Sequence, residues 1–180
     1  PCSSYVLEYL SRYFDIVLFY YNPNIDTPQE YAHRTAEQKR LIEDMEAQKD
    51  LYGAVEFVQG DYLPETFYEA VRGHEKDREG GERCMICYLA ARTYGCDYFA
   101  TTLSISPLKN AEKLNEIGMQ IGQEQGVEYL VSDFKKRNGY KRSTELSAKY
   151  GLYRQDYCGC VFSRREREEQ KKNLVRESAD

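Results

Sequence analysis

Four short apolar runs, "DIVLFYYN" at 15–22, "AVEFVQGDY" at 54–62, "DYFATTLSISP" at 97–107 and "VEYLVSDF" at 127–134, are separated by stretches with helical spacing. Strand-sized continuous apolar runs alternating with helices are the pattern of a sheet covered on both faces and joined by right-handed crossovers. The chain therefore reads as α/β, Rossmann-like, with a mostly parallel sheet flanked by helices. Local signals agree. Ser3 or Ser4 can cap a helix to about Tyr13, with Val6, Leu7, Leu10 and Phe14 on one face. "TPQE" puts Thr27 at a cap, Pro28 at the first helical position and Glu30 where a capping box wants it, ahead of a long polar helix to about Lys49. Further helices are expected over Pro64 to Arg72, Cys84 to Tyr94 and Lys109 to Gln125.

A chain of 180 residues with 41% hydrophobic and 31% charged residues is long and apolar enough for one folded domain, assigned to 1–163, with a charged tail at 164–180 read as a solvated helix. No apolar run approaches the roughly 20 residues of a membrane span. No basic stretch followed by an apolar core opens the chain, so a cytoplasmic protein is expected. The chain starts at Pro1 and enters a helix almost at once, so native residues upstream are expected as well.

In a parallel sheet, ligands gather beyond the carboxyl ends of the strands. That edge would collect Asn22 to Asn24, Gly60 to Tyr62, Thr101 to Asn110 and Ser132 to Arg142. If a strand precedes the helix at Ser3, Cys2 joins the same edge. The net charge of -5 argues weakly against a nucleic-acid partner, but Lys135, Lys136, Arg137, Lys141 and Arg142 cluster, and so do Arg164, Arg165, Arg167, Lys171 and Lys172. "SISPLKN" has the look of an anion loop, with Ser104, Ser106, Lys109 and Asn110 ahead of a helix start; a well-capped helix explains it equally.

Six cysteines in a reducing compartment point to metal or redox chemistry more than to disulfides. "CMIC" places Cys84 and Cys87 on one face of a helical turn, and "CGC" sets Cys158 and Cys160 around a glycine that lets the backbone wrap a cofactor. Four thiolates suit tetrahedral zinc or an iron–sulfur cluster. Cys2 is surplus to a closed zinc site. Cys96, after Gly95 and without a companion, reads as core; His33 and His74, in polar surroundings, read as exposed.

"PCSSYVLEYL", "FYYNPNI", "CMIC", "DYFATTLSISPLKN", "SDFKKRNGYKRS" and "GLYRQDYCGCVFS", in that order, resemble the QueH-type epoxyqueuosine reductases across nearly the whole chain up to Ser163. The resemblance implies an adenine-nucleotide alpha-hydrolase-like fold, a [4Fe-4S] cluster, and an additional iron or zinc ion held by cysteines and an aspartate. It implies reduction of epoxyqueuosine to queuosine in the tRNA anticodon loop, with an external electron donor and without cobalamin. Of the family's first cysteine motif, two adjacent cysteines, a residue and then Pro-Cys, only Pro1 and Cys2 correspond here.

On that footing Cys2, Cys84, Cys87, Cys158 and Cys160 are the expected metal ligands, with Asp156 as the aspartate. Asp133 is second choice or proton donor. Lys135, Lys136, Arg137, Lys141 and Arg142 would meet tRNA phosphates while Tyr140 stacks on an unpaired base. Two rivals remain open: a zinc-stabilised nucleic-acid binding module without catalysis, and a nucleotide-dependent iron–sulfur tRNA thiolation enzyme.

Overall fold

The computed structural model describes residues 2–70, 72, 94–107, 109–157 and 159–177, with the side chains of 2, 70 and 175–177 left aside. In chain order these form α1 (Cys2–Leu10), β1 (Ile16–Tyr20), α2 (Pro28–Ala47), β2 (Val55–Gln59), α3 (Pro64–Ala70), β3 (Tyr98–Phe99), a 3-10 turn (Thr102–Ile105), α4 (Ala111–Gln125), β4 (Glu128–Tyr129), α5 (Gly139–Lys149) and α6 (Val161–Glu177). The helix expected from Cys84 lies outside the described residues.

The strands pair in parallel, as the alternation predicts. Ile16 to Tyr20 run alongside Val55 to Gln59, and Tyr98–Phe99 alongside Glu128–Tyr129. The described strands thus make two separate two-stranded ladders rather than one continuous sheet. A T-shaped contact between Phe14 and Tyr98, centroids 5.8 Å apart, bridges them. β1 was expected to be buried, yet all five of its residues are half-buried, in keeping with a strand paired along one edge.

The third and fourth strands stop short of the apolar runs that announce them. The Thr101 hydroxyl accepts the Leu103 N–H at 3.2 Å and turns the chain into the 3-10 turn. After β4, the Asn115 side chain takes the Ser132 N–H at 3.1 Å and draws the backbone away from the ladder. In both places a side-chain oxygen competes with strand pairing for the backbone, at Leu103 from two residues away and at Ser132 from α4, 17 residues back.

Three apolar clusters position the elements. Leu7 of α1, Leu41, Ile42 and Met45 of α2, and Leu146 of α5 form the largest one, beneath the β1–β2 ladder. Each such side chain, fully buried, contributes about 1.5–3 kcal/mol. Phe99, Ile121, Val127 and Tyr129 lock α4 onto β3 and β4. Val6, Ile105 and Phe134 join α1 to the 3-10 turn and to the loop after β4. α1 and α5 meet through Arg142, which grips Glu8 with two hydrogen bonds of 3.0 and 2.6 Å. The close approach needs a glycine at the start of α5, since a Cβ on Gly139 would lie 1.9 Å from the Phe134 carbonyl oxygen. No described helix is long and apolar enough to cross a membrane.

Candidate metal centre

α2 starts as its sequence predicts, with the Glu30 N–H donating to the Thr27 hydroxyl at 3.2 Å and Pro28 in the first turn. The reciprocal half of the capping box is replaced. The Glu30 carboxylate instead accepts Arg34 Nε–H at 2.7 Å and the Tyr153 hydroxyl at 3.1 Å, turning the helix start towards the C-terminal segment. Three further bonds knit the carboxyl edge of the β1–β2 ladder. Tyr31 of α2 donates to the Gly60 carbonyl at 2.9 Å, Tyr62 to the Ile25 carbonyl at 2.7 Å, and the Asp26 N–H to the Gly159 carbonyl at 2.9 Å. The loops after β1 and β2 and the "CGC" segment therefore meet at one edge.

Cys160 lies at that meeting point with no solvent exposure. It caps α6: its carbonyl accepts the Arg164 N–H at 3.1 Å, and its Sγ accepts the Ser163 N–H at 3.5 Å. A sulfur facing the free N–H groups of a first helical turn is in a setting that favours negative charge. Gly159 before it has φ +111°, which L side chains rarely adopt, and a Cβ there would lie 3.0 Å from Ile25 and 3.1 Å from Arg34 Nη1. The thiol, the helix start and the close-wrapped glycine fit a thiolate ligand of a metal or cluster. Cys84, Cys87 and Cys158 lie outside the described residues, and Cys2 opens α1 with its side chain set aside. Among the described residues no three His, Cys, Asp or Glu side chains converge on a metal-sized site.

Two aspartates were expected to matter. Asp156 faces α6, with Lys171 Nζ at 2.6 Å and Arg167 Nε at 3.5 Å, and the Lys171 hydrogen bond holds its carboxyl below the usual aspartate range. Asp133 has Lys135 Nζ at 3.0 Å on one oxygen and Lys136 Nζ at 3.5 Å on the other. Sequence reasoning passed over a third, Asp26. Its side chain is 3% exposed, Arg164 Nη1 lies 3.0 Å from Oδ2, and neither oxygen has an aligned hydrogen-bond partner among the described residues. A buried carboxylate so placed asks for an explanation such as an ion.

Arg34 was equally hidden in the sequence. It lies in a helix that reads as polar, yet it is 9% exposed, with its guanidinium 5.3 Å from the Tyr157 ring centroid. Tyr20 and Tyr157 border it, and burial raises both phenols, Tyr20 to about 12. Phenols so raised stay protonated and add no countercharge to that of Glu30.

The basic loop divides in two. Lys135 and Lys136 hold Asp133, Lys135 also reaches the Lys109 carbonyl at 3.4 Å, and Arg142 is fixed on Glu8. Arg137, Lys141 and the Tyr140 ring, 48% exposed, face solvent together with Lys136. Of the anion-loop residues, Ser104 is fully buried and accepts the Phe134 N–H at 3.4 Å, while Asn110 caps α4 by accepting the Lys113 N–H at 3.1 Å. The Ser106 N–H turns back to the Leu103 carbonyl at 3.1 Å, and the Lys109 N–H to the Ser106 carbonyl at 3.1 Å. The Asn110 bond caps α4, the Ser106 bond closes the 3-10 turn, and Ser104 ties that turn to the loop after β4.

A family model described as "Epoxyqueuosine reductase QueH" matches residues 1–166. Curated proteins named epoxyqueuosine reductase QueH are similar to the chain. That of Streptococcus pyogenes serotype M1 is 40% identical over 171 residues, covering 91% of this chain and 66% of its own length. That of Staphylococcus epidermidis is 39% identical over 173 residues, covering 91% and 72%. That of Thermotoga maritima is 34% identical over 186 residues, covering 97% and 93%. With the family match running over almost all of the chain and taking in both cysteine pairs, the chain belongs to the epoxyqueuosine reductase QueH family.

Proposed function

We propose that the protein is a cytoplasmic, cobalamin-independent oxidoreductase that reduces epoxyqueuosine to queuosine in the tRNA anticodon loop. The observation that carries this reading is the family match over 1–166, which includes Cys2, Cys84, Cys87, Cys158 and Cys160. In the reaction both carbon–oxygen bonds of the epoxide break and a carbon–carbon double bond forms. The oxygen leaves as water, consuming two protons and two electrons from an external donor.

When bound, a [4Fe-4S] cluster with an adjacent iron or zinc ion supplies electrons one at a time and a Lewis acid for the oxygen. Cys84, Cys87, Cys158 and Cys160 would hold the cluster, and Cys2 would contribute to the second ion. For the aspartate of that ion we take Asp26 in place of Asp156, because Asp26 is buried beside the "CGC" segment whereas Asp156 is exposed and engaged by Lys171. Asp133, with both oxygens on lysines, organises the basic loop rather than delivering a proton. Lys136, Arg137 and Lys141 meet phosphates, and Tyr140 offers a stacking face worth about 1–3 kcal/mol per base.

Anaerobic purification tests the reading. Visible absorption that bleaches on reduction, with bound iron, is expected; a featureless spectrum with bound zinc would favour a nucleic-acid binding module instead.

A further inference from the structure

An arginine in the middle of a polar helix normally lies in water, where its charge is solvated at no cost. Arg34 does not. Its side chain is 9% exposed, and Glu30, Tyr157 and Gly159 are among the neighbours that hold the guanidinium. Glu30 takes the Nε–H at 2.7 Å, the Tyr157 ring lies 5.3 Å from Cζ, and the Nη1 end meets Gly159, where a Cβ would lie 3.1 Å away. Glu30 is itself held by the Tyr153 hydroxyl at 3.1 Å, so the pair cannot swing out without breaking a second contact. The cation is thereby pressed against Gly159, the one residue that separates Cys158 from Cys160.

We propose that Arg34 is a positioning residue for the redox centre of this chain, setting the potential at which the thiolate-held iron accepts an electron. This rests on the iron–sulfur reading above. Thiolate-ligated clusters carry net negative charge that grows on reduction, and their potentials respond to nearby charge and burial. A cation fixed in a poorly solvated setting acts more strongly than one at the surface, because less water screens it. Arg34 stabilises the reduced form more than the oxidised one and so raises the potential. Glu30, paired to the Nε side at 2.7 Å, offsets part of this charge, but it is the Nη1 end of Arg34 that lies against Gly159, and Asp26 is paired with Arg164 at 3.0 Å.

The test is an anaerobic redox titration, followed by electron paramagnetic resonance, of the iron-reconstituted protein and its Arg34→Gln and Arg34→Lys forms, with iron content and thermal unfolding measured alongside. We expect Arg34→Gln to keep its iron and shift to a more negative potential, and Arg34→Lys to recover most of that shift. Equal potentials in all three, or a lysine form as shifted as the glutamine form, would overturn the role assigned to the charge. Should Arg34→Gln lose iron, a lysine form that keeps it at the parental potential supports the proposal; a lysine form that loses it too marks Arg34 as structural and overturns it. A parent protein that takes up no iron fails at an earlier step and overturns the iron–sulfur reading together with this proposal.

Discussion

Cys160 sits where a helix offers its unpaired N–H groups, and the Ser163 N–H already points at its sulfur at 3.5 Å. Cys96 is partly buried against the Ile121–Tyr129 cluster, and burial raises its thiol above the ordinary cysteine range. Replacing each by alanine separates the two. Cys160→Ala is expected to lose bound iron and activity together, and Cys96→Ala to keep both, as read by metal analysis and turnover. Gly159→Ala forces a side chain into a φ of +111° against Ile25 and Arg34; thermal unfolding should show a loss of about 1–3 kcal/mol. At this scale the sequence displayed the thiol and its glycine but not their partners. Asp26 stands just before the Thr27 cap with no motif of its own, and Arg34 lies in a helix that reads as polar. Both become buried only because the Gly159 segment, far along the chain, docks on them, and no local pattern encodes that docking.

The elements are held by charge as well as by apolar packing, and the two kinds of basic residue on the loop before α5 and on α5 itself should behave differently. Glu8 is 10% exposed on its side chain and Arg142 42%, so Arg142→Ala leaves a largely buried carboxylate unpaired. A loss of about 1–3 kcal/mol is expected in denaturant unfolding, discounted from the fully buried case by the arginine's exposure. Lys141→Ala and Arg137→Ala should leave stability unchanged, weaken RNA binding, and each lower the salt slope by about one, measured as affinity against salt concentration. At the other end of α5, Asp50 accepts hydrogen bonds from Lys149 and Tyr150, and its carboxyl is held below the usual aspartate range, Lys149 being the largest cause. A depressed carboxylate stabilises fully above its unfolded value and loses that contribution as pH falls through the folded one. The advantage of the parent over Asp50→Asn, about 1 kcal/mol, should therefore shrink as pH drops below about 4. The elements themselves were more legible than their extents. Thr27 and Pro28 announced α2 correctly, because caps act within one turn. The third and fourth apolar runs overstated their strands, because Thr101 and Asn115 divert the backbone through bonds that apolar periodicity does not register.

Across the whole molecule, the parallel ladders bring the loops after β1 and β2 to one edge, where Tyr31, Tyr62 and Asp26 fasten them to each other and to the "CGC" segment. The solvent-facing cations of the loop before α5 follow the end of β4. The reading proposed above uses both: the buried edge for electrons and the exposed basic surface for RNA. The most direct test is anaerobic turnover. The reduced, iron-reconstituted protein is incubated with RNA containing epoxyqueuosine, and the modified nucleoside is weighed by mass spectrometry. Loss of one oxygen atom to give queuosine, abolished by Cys160→Ala, is the expected result. Unchanged epoxyqueuosine in the presence of an intact, reduced cluster would contradict the account.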